Sequence, residues 1–469
     1  MRAGAIHLFV CSASTRCRRG DETDRRASRL FFANFLRSPI DLNQSVPVKT
    51  DPKPAWQRWY IACFCFVLAI GIFLRLPSSL FSDPTSSFHR FEFLHPQAGF
   101  VETGFDEHLY RGYVNSLIRT GVPSYYAVVD HYIEVQKALT GAILPPVRFL
   151  YIFTAYVWHS LFGCEALEAL RQVAAFFSVL TLGLAITFAW RLRGAAWALG
   201  IGALTAFAPT QVHMSQHALI DGFFAFWVLL CLWLLWENLR APHDWRRIAA
   251  FGLALALLVT TKENSFFVWV SLAVLIVANR WLQFGTVTRE LLLVTIAGPF
   301  CGVVTLIILA GGLDNLIETY RLLVTKASQM PFAIRTGDGP WHRYLVDLLL
   351  VSPVILILAL GSIFQLDRTK KPELFMSIFI VASYLVMCNV KYGMNLRYAN
   401  IWDVPLRFLA FSSLVGLVSP LRRYRNIVLG AAVALICALE LRQYVILFVK
   451  FPLYELVSEG LLRALRILK

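Results

Sequence analysis

Long apolar runs dominate the chain, separated by short and mostly basic polar intervals. They fall at about residues 59–76, 170–190, 195–212, 219–237, 248–261, 264–282, 291–312, 344–366, 374–390, 401–421 and 427–449. Runs of roughly 17–25 residues are what a helix needs to cross the hydrocarbon core of a bilayer. The pattern predicts an all-α polytopic membrane protein with about eleven transmembrane helices. A transmembrane β-barrel would instead show short segments of alternating polarity.

The longest polar interval follows the first run, from Pro77 to about Pro146. Within it, Asp106–Thr120 carries apolar residues at Leu109, Tyr113, Leu117 and Ile118, close to a 3.6-residue period. Asp106 and Glu107 occupy its first turn and Gly121-Val122-Pro123 ends it, as expected of an amphipathic surface helix. The next segment, Val147–Phe162, is apolar but short, follows Pro145-Pro146 and contains Arg148 and His159. If it spanned, Arg191 and Arg193 would end outside; if it lies in the interface, they end inside. Arg240, Arg246, Arg247, Arg280, Arg289, Arg368, Lys370, Lys371, Arg422, Arg423 and Arg425 then fall inside as well, which is the positive-inside pattern. Val147–Phe162 is therefore read as a further interfacial helix.

This gives residues 1–58 as a basic, disordered cytoplasmic tail, 59–449 as the membrane domain with a first non-cytoplasmic loop at 77–169, and 450–469 as an amphipathic tail. The tail falls outside despite its basic character, against the charge rule. Asp106, Glu107, Asp221, Lys262, Glu263, His342, Arg343, Lys391 and Arg397 all fall at one non-cytoplasmic face.

Composition agrees: 57% of residues are hydrophobic, 16% are charged and the mean hydropathy is +0.60. The net charge of +15 follows from the basic loops, and no motif supports nucleic-acid binding. Cys63, Cys65, Cys231, Cys301, Cys388 and Cys437 lie in apolar runs, while Cys11 and Cys17 lie in the basic tail. No spacing suggests a disulfide framework or a metal site. His213 and His217, four apart, do not make a convincing metal constellation.

Transfer of a sugar from a lipid phosphate to a hydroxyl needs a carboxylate base, a cation for the departing phosphate and a groove for the lipid. Asp106 and Glu107 are candidates for the base, although acids in a first turn also stabilise the helix dipole by about 0.3–1 kcal/mol. Asp221 opens a very apolar run, where a carboxylate is expensive and a functional candidate by default; a water-exposed capping acid is the alternative. Lys262 and Glu263 interrupt an apolar stretch as reactive groups or as a solvated turn. Arg397-Tyr398 offers a guanidinium fork for phosphate or a snorkelling arginine with an interfacial tyrosine.

In order along the chain, several stretches resemble the GT-C glycosyltransferases of the protein O-mannosyltransferase and lipid A aminoarabinose-transferase type. They are Phe105-Asp-Glu-His-Leu-Tyr110, Leu144-Pro-Pro-Val-Arg148 with Leu161-Phe-Gly163, Glu168-Ala-Leu-Arg171, and Pro209 with Asp221-Gly-Phe-Phe-Ala-Phe-Trp227. Thr261-Lys262, Gly339-Pro-Trp-His-Arg-Tyr344, and Arg397-Tyr398 with Pro405 complete the series. The resemblance spans about residues 59–420. It implies the GT-C fold and inverting transfer of a hexosyl or pentosyl group from a polyprenyl-phosphate donor to a hydroxyl of a glycan, lipid or protein. It implies Asp106 as base, with Glu107 beside it, and places Tyr110, Arg148, Asp221, Lys262, His342, Arg343, Arg397 and Tyr398 around the substrate. The expected setting is a bacterial plasma membrane, with the N-terminus cytoplasmic and the site on the periplasmic face. No cofactor is required, and a divalent metal is left open. Leu109 and Pro145 stand where the aminoarabinose transferases carry an arginine and a lysine for the carrier phosphate, so Arg148, Lys262, Arg343 or Arg397 would have to take over. An inactive lipid-binding scaffold and a polyprenyl-lipid transporter are the competing readings; no internal repeat supports the transporter.

Overall fold

The computed structural model describes residues 54–95, 104–391 and 394–468. The chain divides into two units, residues 1–56 and 57–469. The expected cytoplasmic tail, with Cys11 and Cys17, lies almost wholly outside the described residues, and the second unit is the subject below. Every regular element among the described residues is helical.

Each predicted run coincides with helix. The first is α1 (Pro54–Arg75); after it, besides shorter helical turns, the loop carries the longer helices α2 (Phe105–Thr120), α3 (Tyr125–Ala138) and α4 (Phe149–Phe162). The bundle continues with α5 (Ala166–Arg193), α6 (Ala195–Ala206), α7 (Pro209–Gln216), α8 (Ile220–Arg240), α9 (Trp245–Val259), α10 (Ser265–Leu282), α11 (Arg289–Leu309) and α12 (Leu313–Ala327). It ends with α13 (Arg343–Val351), α14 (Pro353–Ile363), α15 (Lys371–Met387), α16 (Asp403–Val418), α17 (Arg425–Tyr444) and α18 (Ser458–Ala464). Among the described residues, five helical stretches are long and apolar enough to cross a membrane by themselves, or six if the bent pair α6–α7 counts as one. With this hydropathy the chain is an integral membrane protein.

Two predicted spans are broken where proline dictates. The run at 195–212 bends by 55° between α6 and α7. Pro209 has no N–H to continue the ladder and clashes with the carbonyl four residues back, which frees the carbonyls of Thr205 and Ala206. The buried Arg75 at the end of α1 takes both, each at 3.0 Å, and donates to Ser178 Oγ at 2.8 Å. In the same way Pro353 splits the run at 344–366 into α13 and α14, and Ser352 at the break donates to Glu440 Oε2 at 2.9 Å. Elsewhere the helices close tightly: a Cβ on Gly298 of α11 would stand 2.7 Å from the carbonyl of Gly252, and one on Gly302 2.7 Å from that of Ala256. Small residues four apart let α9 and α11 approach backbone to backbone.

Three apolar clusters result. The largest fills the bundle around α8, α15 and α16, with Trp236, Phe375, Trp402 and Phe408 among its residues, and a small one joins Val67 of α1 to Leu182 and Ile186 of α5 and Ala198 and Ala206 of α6. Another lies beneath α2, α3 and α4, where Tyr110, Val114, Leu117, Val129 and Tyr151 pack against Phe223 of α8 and Leu306 of α11. It holds the loop helices firmly on one end of the bundle, and the charged residues collect beside it.

Candidate functional site

Helix α2 begins at Gly104, whose N–H donates to Glu107 Oε2 at 3.0 Å. A side chain at Gly104 would run into the ring of Tyr454, 2.2 Å from where its Cβ would be. This start sends the two neighbouring acids in different directions. Asp106 faces a cavity of about 380 Å³. Glu107 turns into the protein and is wholly buried. Its Oε1 accepts the Ala218 N–H at 2.6 Å and Arg171 Nε at 3.3 Å, and its Oε2 accepts Arg171 Nη2 at 3.3 Å. His217 Nδ1 stands 3.9 Å away. Burial alone would raise the Glu107 carboxyl, but His217 and Arg171 overcome it and hold the group well below the ordinary carboxylate range. Glu107 is thus a strut between α2 and the α7–α8 turn that carries Asp221.

Arg397 is the hub of the cavity wall. Its Nη2 donates to Asp106 Oδ2 at 2.7 Å and its Nη1 to Glu455 Oε1 at 3.1 Å, and its Nε stands 3.5 Å from Asp221 Oδ2. Burial works against the guanidinium charge, and Glu455, Asp106 and Asp221 more than restore it, so its pKa lies well above the ordinary value. The other oxygen of Asp221 accepts Lys262 Nζ at 2.6 Å. That ammonium, 1% exposed, also sits 3.8 Å from the centre of the Tyr398 ring. Desolvation lowers the Lys262 pKa in spite of Asp221.

Arg148 forms the opposite wall. It makes a two-pronged pair with Glu263, with Nε to Oε2 at 3.1 Å, and donates Nη1 to the buried Tyr110 hydroxyl at 2.8 Å. Burial alone would raise Glu263; Arg148 and Lys262 together pull it below its ordinary value.

The cavity lining mixes charged, polar and apolar side chains. Asp106, Arg148, Glu263, Lys391, Asn395, Arg397, Tyr398 and Glu455 supply its polar lining, while Leu144, Phe267, Leu323, Val324, Met330 and Met387 are prominent in the apolar part. The arrangement places a carboxylate, two guanidiniums and a greasy channel in contact.

The fold therefore brings together Asp106, Tyr110, Arg148, Asp221, Lys262, Arg397 and Tyr398 from the sequence-predicted set. Glu107 supports them from behind. His342 and Arg343 are elsewhere: they line a separate cavity of about 360 Å³ with Asp338, Ser458 and Glu459, where Arg343 Nη1 donates to the Asp338 carbonyl at 2.5 Å. Sequence reasoning missed Glu455, Asn395 and Tyr454. The signal for Glu455 and Tyr454 was the placement of the C-terminal segment on the same side as the other ionisable groups, and for Asn395 its position two residues before Arg397.

Asp106, Asp221 and Glu455 converge as a metal site would, but on the Arg397 guanidinium. Among the described residues no group of three or more His, Cys, Asp or Glu is placed to hold a metal ion.

The comparisons bear on this geometry. A family model, "Dolichyl-phosphate-mannose-protein mannosyltransferase", matches residues 148–319. That stretch is less than half of the chain; it includes Arg148, Asp221, Lys262 and Glu263. No curated protein matches the chain in sequence. Among solved structures, the Archaeoglobus fulgidus oligosaccharyltransferase in its apo form overlays with a TM-score of 0.55 at 13% identity, over 84% of this chain and 57% of that one. The same organism's oligosaccharyltransferase AglB, in complex with an inhibitory peptide and a dolichol-phosphate, gives 0.53 at 15% identity, over 84% and 56%. ArnT from Cupriavidus metallidurans in the apo state covers 87% of this chain and 76% of that one at 15% identity, with a looser TM-score of 0.47. The chain thus spans little more than half the length of the archaeal proteins. The chain shares the fold of these archaeal membrane proteins, and the family-model match agrees with the resemblance read from the motifs.

Proposed function

We propose that the protein transfers a sugar from a polyprenyl-phosphate donor to a hydroxyl acceptor, with inversion at the anomeric carbon. The observation that carries this reading is the Asp106 carboxylate, paired with Arg397, on the wall of a cavity lined by both charged and apolar side chains. An amphipathic lipid-linked sugar needs both kinds of lining. The family-model match and the shared fold of AglB, solved in complex with a dolichol-phosphate, support the same reading.

In this reading the lipid lies against the apolar side chains of the lining and its phosphate meets the cations. Asp106 accepts the proton of the acceptor hydroxyl as its oxygen attacks the anomeric carbon from the face opposite the phosphate. The bond from that carbon to the phosphate oxygen breaks, and the electron pair leaves with the phosphate, stabilised by a guanidinium. Asp221 and Glu455 keep Arg397 aimed, and Lys262 and Tyr398 keep Asp221 in place. Eleven spans, a cytoplasmic N-terminus and a site on the periplasmic face of a bacterial plasma membrane complete the proposal.

The test is transfer from a panel of radiolabelled polyprenyl-phosphate sugars in proteoliposomes, comparing wild type with Asp106→Asn. The variant is expected to insert normally and to lose transfer by roughly 10²–10⁴-fold, the usual contribution of a positioned base. Transfer at the wild-type rate in that variant would defeat the assignment.

A further inference from the structure

The cations on the cavity wall are not equally available. Six charged residues line it: Asp106, Glu263 and Glu455 against Arg148, Arg397 and Lys391. Both guanidiniums are 5% exposed and already held by carboxylates, Arg148 by Glu263 and Arg397 by Asp106 and Glu455. Lys262 is spent on Asp221 behind the wall. A phosphate that took either guanidinium for itself would strand a partly buried carboxylate, which is costly. Lys391 differs. It is exposed, follows the last turn of α15 beside Val390, and among the described residues makes no hydrogen bond or ion pair. Its ammonium, on a flexible four-carbon stem, can reach into the cavity without breaking any existing pair.

We infer that Lys391 is the residue that supplies uncommitted positive charge to a lipid-linked phosphate in this cavity. The inference rests on the proposed donor. It adds that the carrier phosphate is met first by Lys391, with Arg148 and Arg397 contributing from within their carboxylate pairs. Without Lys391 the lining carries three carboxylates against two guanidiniums, and a phosphate would enter a site of net negative charge. The departing phosphate monoester carries more negative charge than the diester donor, so Lys391 favours the product side of the bond cleavage.

The experiment titrates the purified protein in nanodiscs with geranylgeranyl phosphate, with geranylgeraniol and with inorganic phosphate, following tryptophan fluorescence. Wild type is expected to prefer the lipid phosphate over the alcohol. Lys391→Gln should lose about tenfold or more in affinity for the phosphate, the worth of one charge-assisted contact, with no change for the alcohol. Lys391→Arg should keep most of the preference, and both variants should melt like wild type because the side chain is exposed. Wild-type preference persisting undiminished in Lys391→Gln would overturn the inference while leaving the donor reading standing. No preference for phosphate in wild type would remove the donor reading and this inference with it. Inorganic phosphate binding as tightly as the lipid phosphate would also overturn it, by showing a site for free anions.

Discussion

Glu107→Gln separates the two neighbouring acids. The native carboxylate is wholly buried and accepts from two backbone amides and from two nitrogens of Arg171. The amide retains one acceptor oxygen and turns its NH₂ toward groups that are themselves donors. Removing one partner of a buried ion pair costs about 3–5 kcal/mol. Arg171 is 27% exposed and can recover some hydration, which brings the expected loss to about 2–3 kcal/mol. The assay is thermal unfolding in detergent at a fixed scan rate, because irreversible unfolding makes the midpoint rate-dependent. Glu107→Gln should melt several degrees below wild type and Asp106→Asn close to it. The sign of the pH dependence follows from the depressed carboxyl. Its stabilisation is fully present above the ordinary value of 4.5 and is lost as pH falls from there toward the folded-state value. The deficit of Glu107→Gln should therefore be largest near neutral pH and shrink below about pH 4.5. A variant that melts like wild type at pH 7 would refute the strut. One that melts normally but transfers no sugar would place Glu107 in the reaction itself.

Two further outcomes follow from the same contacts. Glu455→Gln removes one of the carboxylates that aim Arg397 and should lower transfer by about tenfold through misplacement of the guanidinium, measured in the proteoliposome assay at saturating donor; unchanged turnover would show that Asp106 and Asp221 suffice. Arg407→Met, in the bundle interior, strands Asp403 at 3.1 Å and Glu440 at 2.8 Å from a guanidinium with no exposure; a loss of about 3–5 kcal/mol is expected, read as a lower melting point with no specific effect on donor affinity.

Much of the architecture was legible because hydrophobic run length is a strong signal. Each apolar run became helix, and the short, basic-flanked Val147–Phe162 run became α4 of the loop domain. The breaks were less visible: Pro209 and Pro353 were plain in the sequence, but only tertiary partners such as Arg75 make a break tolerable within an apolar environment. At the site, ionisable residues at the ends of apolar runs were informative, since Asp221 and Lys262 are costly there unless paired, and they pair with each other. What could not be read was direction. Asp106 and Glu107 are adjacent and chemically alike, and it is distant partners, Ala218 and Arg171 for Glu107 and Arg397 for Asp106, that mark which one faces the cavity. Glu455 carried no local mark at all, because its role comes from Arg397.

The Arg397–Asp106 pair joins positions 291 residues apart. At about 5–20 residues per second of synthesis, Asp106 waits roughly 15–60 s for its counter-charge. During that interval the acid that faces the cavity has only water to satisfy it. The wall closes when the chain beyond α15 arrives, and Glu455 follows later still. A ribosome-bound intermediate therefore offers a lipid-sized hollow without the charges that would make it reactive, and competence for chemistry is acquired as one of the last events of assembly.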